Sequence, residues 1–198
     1  MNPKRLFDLC ATVPGLMVLA PLLAGISLWI KLDSPGPVLF KQIRVGRLGR
    51  PFQVYKFRSM VADAATRGLE LTTGKDLRIT RAGRFLRRFK LDELPQLFNV
   101  VKGEMSLVGP RPEVPRYVAL YPEAVRGLVL SVPPGITDRA SIEFRNENSM
   151  LDGSVDPEQT YIHEILPIKL GYYAEYARQH TTRGDVLIIL RTIAAIFL

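Results

Sequence analysis

LFDLCATVPGLMVLAPLLAGISLWI, running from Leu6 to Ile30, carries Asp8 as its one charged residue. A helix rising about 1.5 Å per residue over this stretch could cross a bilayer core, which takes about 20 apolar residues. Three arrangements are open: a cleaved signal peptide, a spanning helix, or a hairpin that enters one leaflet and returns. No small-x-small cleavage site precedes Lys31-Leu32-Asp33, which disfavours the first. Pro21 sits mid-segment, where its ring clashes with the Met17 carbonyl and removes a helical hydrogen bond, so a bend is expected there. Basic residues flank both ends: Lys4 and Arg5 before, and Lys31, Lys41, Arg44, Arg47 and Arg50 after. Positive flanks favour the cytoplasm, and a spanning helix would export one of them. The hairpin is therefore the expectation, with Pro21 as the membrane break.

Beyond this segment the chain is strongly basic. Its 198 residues carry 27 Lys+Arg against 19 Asp+Glu, a formal charge of +8, so an anionic partner is implied: lipid headgroups, nucleotide phosphates or nucleic acid. No nucleic-acid-binding signature accompanies the basic clusters, so nucleic acid is not expected as a partner. The single cysteine, Cys10, excludes an intrachain disulfide framework, and two distant histidines without an HExxH pattern disfavour histidine-bound zinc.

Strand patterning covers Val38-Leu39-Phe40 and Phe52 to Phe57, which pair as a short hairpin across the glycine-punctuated loop Arg44 to Arg50. Val61 to Arg67 reads as a short helix and Leu69 to Thr80 as loop. Gly83 to Phe89 has helical spacing, and a stripe of Leu91, Leu94, Leu97, Phe98 and Val101 predicts a helix ending at Gly103. Gly109 to Pro112 is non-helical or a turn, Tyr117 to Val132 contains helix, and Ile136 to Phe144 is extended. Tyr161 to Tyr176 is helical with an interruption at Pro167, and Gly184 to Leu198 is apolar enough for a core or a membrane surface.

The chemistry concentrates around Asp92-Glu93. Asp is a good N-cap, so Asp92 can be read as capping a helix and Glu93 as complementing its dipole. The surroundings allow a second reading. The pair follows Arg84, Arg87 and Arg88 and precedes Gly-Pro-Arg-Pro. Carboxylates among cations suit a magnesium diphosphate site, in which the cations hold phosphate oxygens and a carboxylate holds the hard metal. No Walker motif or GxGxxG is present. Arg111, between two prolines, has a restricted backbone that can aim its guanidinium. Lys56 and Arg58 alternate in YKFRSM and are expected to point the same way.

The stretches SPGPVLFKQIRVG, YKFRSM, LDELPQLFNVVKGEMSLVGPRP and PPGIT, with Lys4-Arg5-x-Phe7-Asp8 ahead of them, resemble the bacterial sugar transferase family, the small monotopic polyprenyl-phosphate phosphoglycosyl transferases. The resemblance implies transfer of a phosphosugar from a UDP-sugar to polyprenyl phosphate with release of UMP. It implies Asp92 as the nucleophile that becomes a phosphosugar adduct and as a Mg²⁺ ligand, with Glu93 assisting proton transfer and positioning. Arg111 would contact the nucleotide sugar, Arg145 in Glu143-Phe144-Arg145-Asn146 would bind phosphate, and Lys56, Arg58 and Arg88 complete the expected substrate-binding set. The chain departs from the family pattern at Ala20-Pro21, where Ser-Pro occurs in some members, and at Asp138, where Gly is frequent.

The expected fold is mixed α/β and mainly helical: a re-entrant membrane helix-break-helix over 1–32, then a small cytoplasmic α+β catalytic domain over 33–198 with a short β-hairpin and amphipathic interfacial helices. The expected location is the bacterial inner membrane, with the site on its cytoplasmic face.

Overall fold

The computed structural model describes residues 2–64 and 76–197. The apolar stretch forms α1, Pro3–Asp33, N-capped by Asn2, whose side chain accepts from Lys4 N at 3.1 Å. The helix runs through Pro14 and Pro21, so the expected helix-break-helix is not seen as an interruption. Each proline removes one hydrogen bond, a loss that a long helix absorbs by bending without leaving helical geometry. Met17, Val18, Leu22 and Leu28 stand exposed, so α1 is not the core helix of the domain it touches.

Both ends of α1 nevertheless dock. Near its C-terminal end, Ile26 and Ile30 pack with Phe57 and Leu86 in an apolar cluster. The first turns reach a helix and a strand of the domain, as described below.

Strands β1 (Leu39–Val45) and β2 (Pro51–Phe57) form the expected antiparallel hairpin, with Phe40 opposite Lys56 and Arg44 opposite Phe52. Gln42, Arg44, Val54 and Lys56 therefore share one face by alternation. The expected helix from Val61 is turn up to Ala64, and its remainder lies outside the described residues, as does most of the expected 69–80 loop. Helix α2, Arg81–Arg88, starts at Thr80, whose hydroxyl accepts from Gly83 N at 2.9 Å. Gly83 lies directly against the end of the hairpin, and a Cβ there would come within 1.9 Å of the Ser59 carbonyl oxygen.

A 3₁₀ turn, Leu91–Glu93, precedes α3, Gln96–Lys102, which stops at Gly103 (φ 84°) as the stripe predicts. Asn99, fully buried, staples α3 to β2: its Oδ1 accepts from Tyr55 N at 3.0 Å and its amide donates to Gln53 O at 2.7 Å. Strand β3, Ser106–Val108, pairs in parallel with β4, Gly135–Thr137, after a crossover through α4 (Pro115–Val118) and α5 (Glu123–Val129).

The expected extended segment 136–144 is corrected: the strand ends at Thr137 and Arg139–Glu143 is helix α6. Asp138 turns the chain by accepting from both Ser141 N and Ser141 Oγ at 2.8 Å, so it acts as an N-cap. Helices α7 (Glu147–Asp152) and α8 (Pro157–Thr160) lead into a π turn at Tyr161–Ile165 and then α9, Leu166–Gln179. Pro167 sits in the first turn of α9, where a missing N–H costs little. The closing helix α10, Thr182–Phe197, buries Asp185 and Ile188 and exposes Val186, Leu187, Leu190 and Ile193. The main core gathers Val114, Tyr117, Tyr121, Tyr161, Leu170 and Tyr173, with Val45 of the hairpin packed against it.

Candidate active site

The turn that carries Asp92 and Glu93 is positioned by its neighbours in sequence. Lys90 adopts the left-handed conformation (φ 55°, ψ 18°) after α2, and the chain then tightens into the Leu91–Glu93 turn. Asp92 does not cap α3. The residue at that helix's N-cap position is Pro95, which has no side-chain cap, and Asp92 Oδ1 is buried without a hydrogen-bond partner. An ionisable oxygen left unsatisfied in a buried place carries a desolvation cost that marks a site more often than a scaffold.

Glu93 is fully engaged. Lys56 Nζ donates to its Oε1 at 2.8 Å, and the Arg111 guanidinium forks across both oxygens, with Nη1 3.3 Å from Oε2. The two neighbouring carboxyls are driven apart. Burial, then the Glu93 charge, pushes the Asp92 carboxyl above the ordinary aspartate range, against the pull of Lys56 and Arg87. Burial also pushes Glu93 up, but Arg111 and Lys56 outweigh it and hold this carboxyl well below the ordinary glutamate range. Burial pushes the Lys56 ammonium down, partly offset by Glu93. The Arg111 guanidinium is held strongly protonated, chiefly by Glu93.

Arg111 is aimed as its two prolines suggest, and the loop bearing it is tied to the hairpin. Arg44 Nη1 donates to Pro112 O at 3.1 Å and lies 3.3 Å from Glu113 Oε2, while Gln42 Oε1 accepts from Arg44 Nη2 at 2.7 Å. Glu113 Oε1 accepts from the buried Tyr161 hydroxyl at 2.8 Å. Arg44, Val54, Lys56, Gln96, Arg111 and Pro112 line a small cleft beside the pair.

The other expected substrate-binding residues are placed apart from this group. Arg58 lies beyond the end of β2, so strand alternation with Lys56 no longer holds. It is buried, and its guanidinium serves the C-terminal end of α1, donating to Ser34 O at 2.7 Å, Ile30 O at 3.3 Å and Pro35 O. Arg88 is exposed and stacks on Phe89, with 5.6 Å to the ring centre. Arg145 is exposed and donates to Ala195 O of α10 at 2.7 Å. On α2 it is the half-buried Arg87 whose charge reaches Asp92, with its Nε on Ser59 Oγ at 2.9 Å. Spacing alone could not separate Arg87 from Arg88, but the apolar side of α2, marked by Ala82 and Leu86, would have shown which arginine lies nearer the core.

Among the described residues no group of three or more carboxylate, histidine or cysteine ligands could enclose a metal. That donor set still fits magnesium, which is usually held by one or two carboxylates together with substrate phosphates and water. Asp92 Oδ1 is the free oxygen that such a site would use.

The family model for bacterial sugar transferase matches residues 1–198. An undecaprenyl-phosphate glucose phosphotransferase of Komagataeibacter xylinus is 53% identical over 148 residues, covering 72% of this chain and 28% of that protein. A UDP-N-acetylgalactosamine-undecaprenyl-phosphate N-acetylgalactosaminephosphotransferase of Aeromonas hydrophila is 36% identical over 195 residues, covering 98% of this chain and 43% of that protein. A putative undecaprenyl-phosphate N-acetylgalactosaminyl 1-phosphate transferase of Bacillus subtilis (strain 168) is 40% identical over 153 residues, covering 77% of this chain and 81% of that protein. The chain spans less than half the length of the first two. By the match along its whole length, this chain belongs to the bacterial sugar transferase family.

Proposed function

We propose that this chain transfers a sugar 1-phosphate from a UDP-sugar to polyprenyl (undecaprenyl) phosphate, releasing UMP, in the first membrane step of bacterial glycoconjugate assembly. The observation that carries the proposal is the asymmetric pair: Asp92 with a buried unpartnered oxygen, beside Glu93 clamped by Lys56 and Arg111. A carboxylate that is poorly solvated and unpaired is a better nucleophile than one already spent on cations. Asp92 attacks the sugar-bearing phosphorus of the donor, and the bond to the UMP oxygen breaks, its electron pair leaving with UMP. An oxygen of the lipid phosphate then attacks the same phosphorus and the Asp92 carboxylate departs, forming the polyprenyl diphosphate sugar.

Glu93, held ionised, keeps Lys56 and Arg111 aimed at the place where phosphate charge develops, which favours its positioning role over proton transfer. Mg²⁺ held by Asp92 and the donor diphosphate would supply charge neutralisation there.

The membrane part of the proposal is a bent, re-entrant α1 with both ends on the cytoplasmic face of the inner membrane. Its support is that Arg5, near one end, donates to Val100 O and Val101 O, while Ile30, near the other, packs on Leu86 and Phe57 of the same domain. The test of function is detergent-solubilised protein incubated with a panel of UDP-sugars and polyprenyl phosphate. UMP release that needs the lipid for multiple turnovers supports transfer; no UMP with any donor removes the proposal.

A further inference from the structure

The single charge of the apolar segment, Asp8, is 3% exposed and points into the domain: its Oδ1 accepts from Ser106 Oγ at 3.0 Å and from Leu107 N at 3.1 Å. Both donors belong to β3, which runs directly into the Gly109–Pro112 loop. The other end of that strand is held from α9. The Tyr176 hydroxyl lies 2.8 Å from Val108 O and 2.9 Å from Asp185 Oδ1, and Asp185, 1% exposed, takes Lys4 Nζ at 2.6 Å. Burial and the Asp185 charge push the Tyr176 hydroxyl up, so it stays a proton donor. The foot of α1 thus reaches both ends of a three-residue strand, directly through Asp8 and through Lys4, Asp185 and Tyr176.

We infer that Asp8 and Tyr176 are positioning residues for Arg111: they strap β3 at its two ends and so fix the loop that lays the Arg111 guanidinium on Glu93. A three-residue strand paired to an equally short partner has little register of its own, since only Ser106↔Gly135 and Val108↔Thr137 define it. Strand end and Arg111 are three residues apart, and Gly109 already packs tightly on the Pro133–Gly135 backbone, leaving the loop little room to correct a slip. Seating the membrane segment and assembling the site then become one event. The inference rests on the transferase reading for its kinetic consequence, but not for its structural one.

Two measurements on full-length protein in detergent test it. Hydrogen exchange at the Gly109 amide, which donates to Thr137 O at 3.1 Å, reads the strap without any activity: Tyr176→Phe, which removes one hydroxyl and keeps the ring, should raise exchange there about tenfold, and Asp8→Asn should act in the same direction. Unchanged protection in both variants overturns the inference, whatever the enzyme does. Adduct formation from UDP-sugar alone supplies the second readout. Tyr176→Phe should slow it about tenfold in the wild-type background and by less than about twofold in an Arg111→Lys background, because both changes damage one interaction. An equal loss in the two backgrounds would show that Tyr176 acts independently of Arg111 and overturns the inference. Wild-type protein that forms no adduct and releases no UMP counts against the transferase reading alone, and exchange then decides the strap.

Discussion

Lys56 Nζ lies 2.8 Å from Glu93 Oε1, so strand β2 and the Leu91–Glu93 turn are joined by an ion pair with both side chains largely shielded from solvent. Arg111 meets the same carboxylate from the loop after β3. One acid therefore gathers two cations, while among the described residues its neighbour Asp92 gathers none by direct contact. The proposed separation of roles between adjacent carboxyls rests on that geometry, and it gives different expectations for the two residues.

Asp92→Asn should leave the fold intact and reduce turnover by roughly 10³-fold or more, as expected when a nucleophile is removed. The fold should survive because Asp92 Oδ1 makes no hydrogen bond and caps no helix. Thermal unfolding alongside UMP release checks both halves. A well-folded variant with near-normal turnover would rule out Asp92 as the nucleophile, as would failure to trap a phosphosugar on the wild-type protein.

The pH profile should separate the two carboxyls. In the proposed mechanism attack needs ionised Asp92, whose carboxyl is raised by burial and then by Glu93, and lowered by Lys56. The acid limb of adduct formation should therefore lie above the ordinary aspartate value of about 3.9. Glu93→Gln removes a negative neighbour and should move that limb to lower pH, whereas Lys56→Met removes a positive one and should move it higher. Stability runs in the corresponding sense. Glu93 has a lowered carboxyl, so its ion pairs contribute fully above the ordinary glutamate range and are lost as pH falls through its folded value; Asp92, with a raised one, contributes below the ordinary aspartate range and loses that contribution as pH rises through its folded value. Limbs that move in the same direction in both variants would refute this electrostatic account.

Gly83→Ala should destabilise the protein by about 1–3 kcal/mol, the usual cost of forcing atoms into a packed contact. The new Cβ would overlap the Ser59 carbonyl at 1.9 Å, and backbone cannot step aside as a flexible side chain can. Activity should fall with stability, because α2 carries Arg87 and leads into the Leu91–Glu93 turn. Chemical denaturation of the solubilised protein reads the first effect; an unchanged midpoint would mean that α2 shifts freely.

The parts legible in the sequence were those written in local periodicity. The β-hairpin, the helix before the acidic pair and the end of α3 at Gly103 all follow from alternation, helical spacing and a left-handed glycine. The pairing of β3 with β4 was not legible, because each strand has three residues and they join across a two-helix crossover. Alternation also failed at Arg58, one residue past the strand end, where its guanidinium meets the Ile30 and Ser34 carbonyls closing α1. Asp8 did carry a signal: a lone acid in an apolar run needs a partner, though nothing local says that the partner is Ser106.

Topology gives the last prediction. A straight helix of the length of α1 would be about 45 Å long, more than the roughly 30 Å hydrocarbon core, and would put its ends on opposite sides of a bilayer. Yet Lys4 pairs with Asp185, Arg5 caps α3, and Ile30 packs against α2, all within one domain. Contacts of both ends with that domain, with exposed apolar residues between, suit the proposed entry into a single leaflet, for which a bend at Pro21 is expected. Charge agrees, since neither basic flank then has to cross. Single cysteines at Asn2→Cys and Arg50→Cys, each in a Cys10→Ser background, should resist an impermeant thiol reagent in spheroplasts and react after permeabilisation. Reaction of the first but not the second before permeabilisation would mean a simple spanning helix. Pro21→Ala, by restoring the hydrogen bond to Met17 O and straightening α1, should shift the protein toward that state and loosen the contacts of Lys4 and Asp8 with the domain.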